Sequence, residues 1–192
     1  MNQQIQQLIQ ASIDTKQHVL QNAELIKVVS ATTDIIVEAF KNGHHVYFCG
    51  NGGSAADAQH LAAEFSGRFY KNREALPAEA LHCNTSYLTA VANDYSFDLI
   101  YARLIQGLGK PGDILIGLST SGTSKNIVEA FKTAKSKNMI TIGFTGATGG
   151  DMKLLTDYLI NIPSTDTPRI QESHMLLGHI ICQLVEDKYF AD

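Results

Sequence analysis

Cysteine and proline are scarce in this sequence of 192 residues. Its three cysteines, Cys49, Cys83 and Cys182, are odd in number and far apart. Such usage excludes a disulfide framework and is typical of a reducing compartment. None of the four prolines lies in residues 1–42, and the first glycine is Gly43. Because proline and glycine are the main helix breakers, we expect helix throughout residues 2–42.

Basic residues and long apolar runs are also few. Fifteen Lys and Arg stand against nineteen Asp and Glu, which gives a formal net charge of -4. This balance provides no electrostatic footprint for nucleic acid or an anionic membrane. No apolar run approaches the length of a membrane span, and the N-terminus lacks the basic and apolar regions of a signal peptide. We therefore expect a cytoplasmic protein with neither nucleic acid nor membrane as a partner.

The composition, with 44% hydrophobic and 18% charged residues, is normal for a globular chain. We predict a single domain over 1–192, with an N-terminal helical segment at 1–42 and an α/β core at 43–192. In the core, apolar strand-length runs alternate with helical patterns, which predicts a doubly wound parallel sheet. A long helix from Arg169 to about Tyr189 is apolar nearly all round, so we expect it to be buried against neighbours or another subunit.

A glycine-rich loop follows the first predicted strand. Gly50, Gly52 and Gly53 allow the backbone to turn sharply and to bring N–H groups close to a ligand. Ser54 is the expected N-cap of the next helix, and the free N–H groups of a helix start favour an anion, usually a phosphate. The loop has neither the dinucleotide pattern nor a Walker A lysine. An ordinary strand-to-helix turn without a ligand is the alternative.

A second loop, Ser119–Ser124, repeats this arrangement between a strand and an amphipathic helix. Its five hydroxyl groups and the helix N–H groups could hold a phosphate without a lysine. A flexible polar loop is the alternative. Both loops stand at the carboxyl ends of predicted parallel strands, where ligands bind in such sheets.

Several other polar residues are candidates for chemistry. His60 and Glu64 are spaced i, i+4 and share a helix face, where they could bind a metal or move protons; a surface pair is the alternative. Gln171 and His179 lie two turns apart on the C-terminal helix and could flank one pocket. A histidine on such a helix could instead be a core residue, and this alternative applies to both His179 and His174. The basic residues Arg68, Lys71 and Arg73 are expected to lie on the solvated surface. Asn93 and Asp94 follow a predicted short helix, and functional groups often lie at the end of such an element.

The motifs at 49–54, 119–124, 93–94 and 169–174 together resemble the sugar isomerase (SIS) domain family, and within it the phosphoheptose isomerases, nearly from end to end. The resemblance implies a five-stranded flavodoxin-like sheet, a homotetramer and a bound zinc. It also implies conversion of sedoheptulose 7-phosphate to D-glycero-D-manno-heptose 7-phosphate, the entry to the heptose of bacterial surface polysaccharide.

The resemblance also implies roles for individual residues. The catalytic pair would be Glu64 and His179. The zinc ligands would be His60, Glu64, Gln171 and His179. The substrate contacts would be Asn51, Gly52, Gly53, Ser54, Glu64, Asn93, Asp94, Ser119, Thr120, Ser121, Ser124 and Gln171.

Two functional alternatives remain open at this point. Ala55-Ala56 and residues 76–94 also resemble the DnaA initiator-associating proteins, which are non-catalytic SIS tetramers, so the chain could instead be a binding protein. For an isomerase, Glu64 would be the base on carbon and His179 the acid on oxygen. Zinc could then polarise the sugar oxygens or be mainly structural.

Overall fold

A computed structural model describes residues 1–191 of the chain. Its centre is a parallel sheet of five strands in the order β2-β1-β3-β4-β5. The strands are β1 Val46–Gly50, β2 Ala78–Ala80, β3 Ile114–Leu118, β4 Ile140–Thr145 and β5 Tyr158–Asn161. After β2 the chain returns past β1 to form β3, so the strand order reverses between β1 and β3. The predicted doubly wound sheet is confirmed, and a crevice for ligands is expected at that reversal.

Within residues 1–191, seven α-helices surround the sheet. They are α1 Asn2–Gln21, α2 Ala23–Lys41, α3 Gly53–Ser66, α4 Thr85–Asp94, α5 Ile100–Leu108, α6 Lys125–Ser136 and α7 Thr167–Tyr189. Of these, α1 packs on α2 and α7. Short 3₁₀ turns occupy Phe97–Leu99 and Gly150–Leu154. No helix within residues 1–191 is long and apolar enough to cross a membrane.

Side chains of alternate strand residues enter two separate apolar cores. In β1, Val46 and Phe48 pack with α2, α3 and α7, whereas Tyr47 and Cys49 pack with α5 and α6. Successive side chains of a strand point to opposite faces, and both faces of β1 are buried. The sequence of β1 is therefore a continuous apolar run. The long apolar helix predicted at the C-terminus is confirmed as α7, which begins two residues earlier than expected.

The helix expected over residues 2–42 is present as two helices, α1 and α2. Asn22 separates them, and its side-chain oxygen accepts the backbone N–H of Leu25 at 3.0 Å. Asparagine is among the best N-cap residues, so a new helix can start here without proline or glycine. Residues on both sides of Asn22 are thus helical, as expected. The boundary proposed at 42/43 between a helical segment and a core remains a prediction, as does the single domain over 1–192.

His174 is a core residue, which was one of the two interpretations open for this position. It is fully buried in α7, and its Nε2 lies 3.1 Å from the carbonyl oxygen of Thr145 at the end of β4. Burial lowers the pKa of the imidazole to about 4, although the hydrogen bond to Thr145 acts in the opposite direction. The histidine is therefore neutral in the folded protein at neutral pH.

This neutral histidine should make the fold sensitive to acid. Between pH 6.5 and about 4 the unfolded chain binds a proton at this residue and the folded chain does not, so stability falls as the pH falls through that window. The loss attributable to His174 is about 3 kcal/mol. Urea unfolding at a series of pH values should show a shallower acid loss in His174→Gln, which keeps an N–H donor. His18→Gln, at an exposed position of α1, is the control; equal slopes in all three proteins would contradict the assignment.

Candidate functional site

The glycine-rich loop leaves β1 at the crevice and leads directly into α3. Gly52 is the N-cap of α3, with φ +54°, a conformation that side chains with a Cβ rarely adopt. The predicted N-cap at Ser54 is therefore wrong, because the helix has already begun at Gly53 and Ser54 is buried in its first turn. Behind the loop, the hydroxyl of buried Tyr101 donates to the carbonyl oxygen of Gly50 and fixes the end of β1.

The hydroxyl loop 119–124 is folded by its own hydrogen bonds. Ser119 is buried, and its Oγ lies 2.8 Å from Ser124 Oγ and accepts the Gly122 N–H at 3.2 Å. Ser121 Oγ accepts both the N–H and the hydroxyl of Thr123, at 3.2 and 3.0 Å. These bonds make the loop an ordered concave turn at the end of β3, beside the end of β1.

A pocket of ≈ 240 Å³ opens between the hydroxyl loop and the start of α7. Thr120 and Ser121 line one side, and Thr167 and Ile170 line the other. The hydroxyl and backbone groups on its walls are neutral donors of the kind that can hold a phosphate. The sequence did not single out Thr167 or the neighbouring turn at 146–148, because neither carries a pattern of its own.

His60, Glu64 and His179 meet although they come from two helices. His60 Nε2 lies 2.9 Å from Glu64 Oε1 and 3.3 Å from His179 Nε2. One donor atom from each of the three residues lies within 4.8 Å of the other two. Four donors around zinc, each at about 2.1 Å, lie about 3.4 Å apart, so this group fits a metal ion. His60 and Glu64 are thus not an isolated surface pair.

Gln171 lies at the other end of this arrangement, against the start of α3. Its side-chain amide packs on Gly53 so closely that any Cβ at that glycine would collide with it. It also lies close enough to Asp57, one turn before His60, to act on the pKa of that carboxyl group. Its predicted role as a metal ligand remains a prediction, whereas its position beside Gly53 puts it next to the glycine-rich loop.

Asp57, in the first half of α3, is a further functional candidate. Burial raises the pKa of its carboxyl group, while the hydrogen bond from Gln171 and the nearby His60 act to lower that pKa. Its Oδ2 is buried without a hydrogen-bond partner in the described part of the chain. A buried carboxylate oxygen without a partner is unusual in a folded protein, and here it belongs to a carboxyl group that is influenced by Gln171 and His60.

Comparisons with known proteins identify the family of this chain. The SIS domain model matches residues 5–146. Phosphoheptose isomerase from Aneurinibacillus thermoaerophilus is 49% identical over 192 residues, which are 100% of this chain and 97% of that protein. The chain belongs to the phosphoheptose isomerases of the SIS domain family. The phosphoheptose isomerase structure from Neisseria gonorrhoeae shares 38% identity and a TM-score of 0.91, with 97% of this chain and 98% of that chain covered. The structure from Francisella tularensis shares 34% identity and a TM-score of 0.92, with 96% and 97% covered.

Asn93 and Asp94 end α4, as expected for a polar pair at the end of an element. Both are exposed, and the amide of Asn93 donates to the carboxylate of Asp94 at 2.9 Å. Within residues 1–191, neither side chain forms a hydrogen bond with either loop. Their role as substrate contacts, which is implied by membership among the phosphoheptose isomerases, remains a prediction.

This family member also has a buried ion pair where solvated basic residues were expected. Arg73 Nε lies 2.8 Å from Glu186 Oε1, and both side chains are almost fully buried, so the expectation was wrong for Arg73. The guanidinium also donates to the carbonyl oxygens of Glu64 and Phe65, at 2.7 and 2.8 Å. Arg73 therefore caps the C-terminal end of the helix that carries Glu64.

The carboxylate of Glu186 ties the loop after α3 to α7. It accepts the backbone N–H groups of Phe69, Tyr70 and Lys71 at 2.7 to 3.2 Å. Burial acts to raise the pKa of Glu186, but the N–H groups and the Arg73 guanidinium outweigh it and hold the pKa below its usual value. The pair thus connects α3, the following loop and α7, the elements that carry His60, Glu64 and His179.

Proposed function

We propose that this protein interconverts sedoheptulose 7-phosphate and D-glycero-D-manno-heptose 7-phosphate. The observation that carries the proposal is the meeting of His179 with His60 and Glu64, whose donor atoms lie within 4.8 Å of one another. The similarity to phosphoheptose isomerases over nearly the whole chain supports it. The phosphate would be held by Ser119, Thr120, Ser121 and Ser124 without a basic residue.

Ketose-to-aldose conversion moves one proton between neighbouring carbons through an enediol. In our proposal, Glu64 removes the proton from C1 and returns it to C2. His179 moves the proton between the two oxygens, so that the carbonyl passes from C2 to C1. The sugar is proposed to be positioned by the residues that the family resemblance implies as substrate contacts. They are Asn51, Gly52, Gly53, Ser54, Asn93, Asp94 and Gln171. The product enters the synthesis of surface polysaccharide heptose.

The metal of this site is proposed to be zinc. His60, Glu64 and His179 provide the nitrogen and oxygen donors that zinc prefers, and their spacing fits a tetrahedral ion. Gln171 is the proposed fourth ligand, which is an unusual ligand type. When bound, zinc would supply a Lewis acid that polarises the sugar oxygens.

The zinc assignment predicts a measurable stoichiometry. Elemental analysis of metal-replete protein should find about one zinc per chain, and His60→Ala should lose most of it because one of two imidazole ligands is removed. His18→Ala, at an exposed site on α1, should retain the metal. Full activity of a protein that contains no zinc under these conditions would contradict the assignment.

A homotetramer is proposed because much apolar surface is left uncovered. On α1 the exposed apolar side chains are Ile5, Leu8, Ile9, Ile13 and Leu20. On α7, Leu176, Ile180 and Leu184 are partly exposed at a spacing of four residues. Exposed stripes of this kind usually mark interfaces. Light scattering should give the mass of four chains, and a stable monomer at micromolar concentration would contradict the proposal.

The deciding experiment for function is incubation of the purified protein with sedoheptulose 7-phosphate, with the product identified by NMR. Formation of the heptose aldose phosphate is expected. The alternative, a partner of the replication initiator, has less support, because such a protein needs neither the Glu64 carboxylate nor the His179 imidazole. No turnover together with a tight initiator complex would establish that alternative instead.

A further inference from the structure

A pair of side-chain amides joins the two loops of the site. Asn51 follows the last residue of β1, and Asn126 is the second residue of α6, just after the hydroxyl loop. Asn126 Nδ2 donates to Asn51 Oδ1 at 2.8 Å, and Asn51 Nδ2 donates to Asn126 Oδ1 at 2.9 Å. Because two bonds link the amides, neither side chain can rotate without breaking both.

The remaining hydrogen-bonding capacity of the pair is unequal. Asn126 Oδ1 also accepts the Ile127 N–H at 3.0 Å, so both of its lone pairs are occupied. Asn51 keeps one N–H and one lone pair free, and it is only half-buried. Asn126 is 2% exposed, so its side chain is shielded from the solvent. The pair therefore presents the free groups of Asn51 in one fixed direction.

We propose that Asn126 is a positioning residue for the sugar-phosphate substrate, acting through Asn51. By holding the Asn51 amide, it fixes the glycine-rich loop relative to the hydroxyl loop. The inference rests on the proposed function for the identity of the substrate. A purely structural role, as a support for the first turn of α6, is the competing explanation, because Asn126 also bonds the Ile127 N–H.

The variant Asn126→Asp separates these explanations because it keeps the shape of the side chain. An aspartate still accepts from Ile127 and from Asn51 Nδ2, but it presents an oxygen where Asn51 Oδ1 needs a donor. One of the two bonds is lost, and two oxygens face each other. We expect the Asn51 side-chain N–H signals in ¹H–¹⁵N NMR spectra to shift and to lose protection from exchange, with the fold retained. Unchanged signals would overturn the proposal, whether or not the protein is active.

Kinetics provide the second readout. We expect Asn126→Asp and Asn126→Ala each to lower kcat/KM about 10-fold, the scale of one misplaced hydrogen bond. Asn51→Ala should have a similar effect, and the double variant Asn51→Ala/Asn126→Ala no larger one, because the second residue acts through the first. The Kd of inorganic phosphate, measured by calorimetry, should not change in the Asn126 variants.

The control is Thr141→Val, at the start of β4 and far along the strand from the site. It removes part-buried hydrogen bonds to Leu155 and Asp157. It should lower stability and leave kcat/KM unchanged. Two outcomes would overturn the proposal: additive losses in the double variant, or a phosphate affinity that falls together with kcat/KM. Either would mean that Asn126 only stabilises the first turn of α6. An inactive wild-type protein would contradict the proposed function alone, and the NMR experiment would still decide the role of Asn126.

Discussion

Glu64→Gln should lose most turnover while the fold and the substrate affinity are kept. Glutamine has nearly the shape of glutamate, so the contact with His60 at 2.9 Å can persist, but an amide cannot accept the proton from carbon. General acid–base catalysis by one positioned group is worth typically about 10²–10⁴-fold, and we expect a loss of kcat on that scale. Steady-state kinetics with sedoheptulose 7-phosphate provide the measurement.

Two companion variants sharpen this experiment. His179→Gln should lose activity to a similar extent, and the double variant should lose less than the product of the single losses, because the two groups act in one proton transfer sequence. Glu74→Gln changes an exposed glutamate in the loop after α3 and serves as the control. Wild-type rates in both single variants at the site would show that the proton-transferring groups lie elsewhere.

Arg73→Met should lower the free energy of unfolding by about 3–5 kcal/mol, because it leaves the buried carboxylate of Glu186 without its cation. The backbone N–H groups that still bond Glu186 keep the carboxylate ionised but cannot neutralise it. Urea unfolding monitored by circular dichroism measures the loss. The variant also removes the cap on the end of α3, so the loop after α3 should become more accessible to protease.

An exposed ion pair between α7 and α2 provides the matched control. Lys188 and Asp34 lie 2.6 Å apart, with about half of each side chain exposed, and such pairs contribute about 0–1 kcal/mol. Lys188→Met should therefore change stability little. Equal losses in Lys188→Met and Arg73→Met would mean that burial does not determine the contribution of the Arg73–Glu186 pair.

The sheet and the two loops could be predicted because their signals are local. Apolar runs bounded by glycine or proline mark the strands, and the concentration of hydroxyl residues at 119–124 marks the second loop. The spacing of His60 and Glu64 places them on one helix face without any tertiary information. Their meeting with His179 across 119 residues required the resemblance, because spacing alone does not show which faces of α3 and α7 meet.

What could not be predicted depends on contacts between distant residues or on competition between local ones. Arg73 and Glu186 are 113 residues apart, and each looks like an ordinary surface charge in the sequence. Asn126 is one of several polar residues at a helix start, and only its contact with Asn51 distinguishes it. At the start of α3, Ser54 has the preferred side chain for a cap, but the positive φ of Gly52 places the cap two residues earlier.

The lengths of the outer strands have a consequence for behaviour in concentrated solution. The edge strands β2 and β5 have three and four residues, whereas each of the three strands between them has five or six. A short edge offers few unpaired N–H and C=O groups to another chain, which disfavours strand-to-strand aggregation. Unwanted association of partly assembled chains should therefore proceed through the apolar surface of α1 rather than through amyloid-like extension of the sheet.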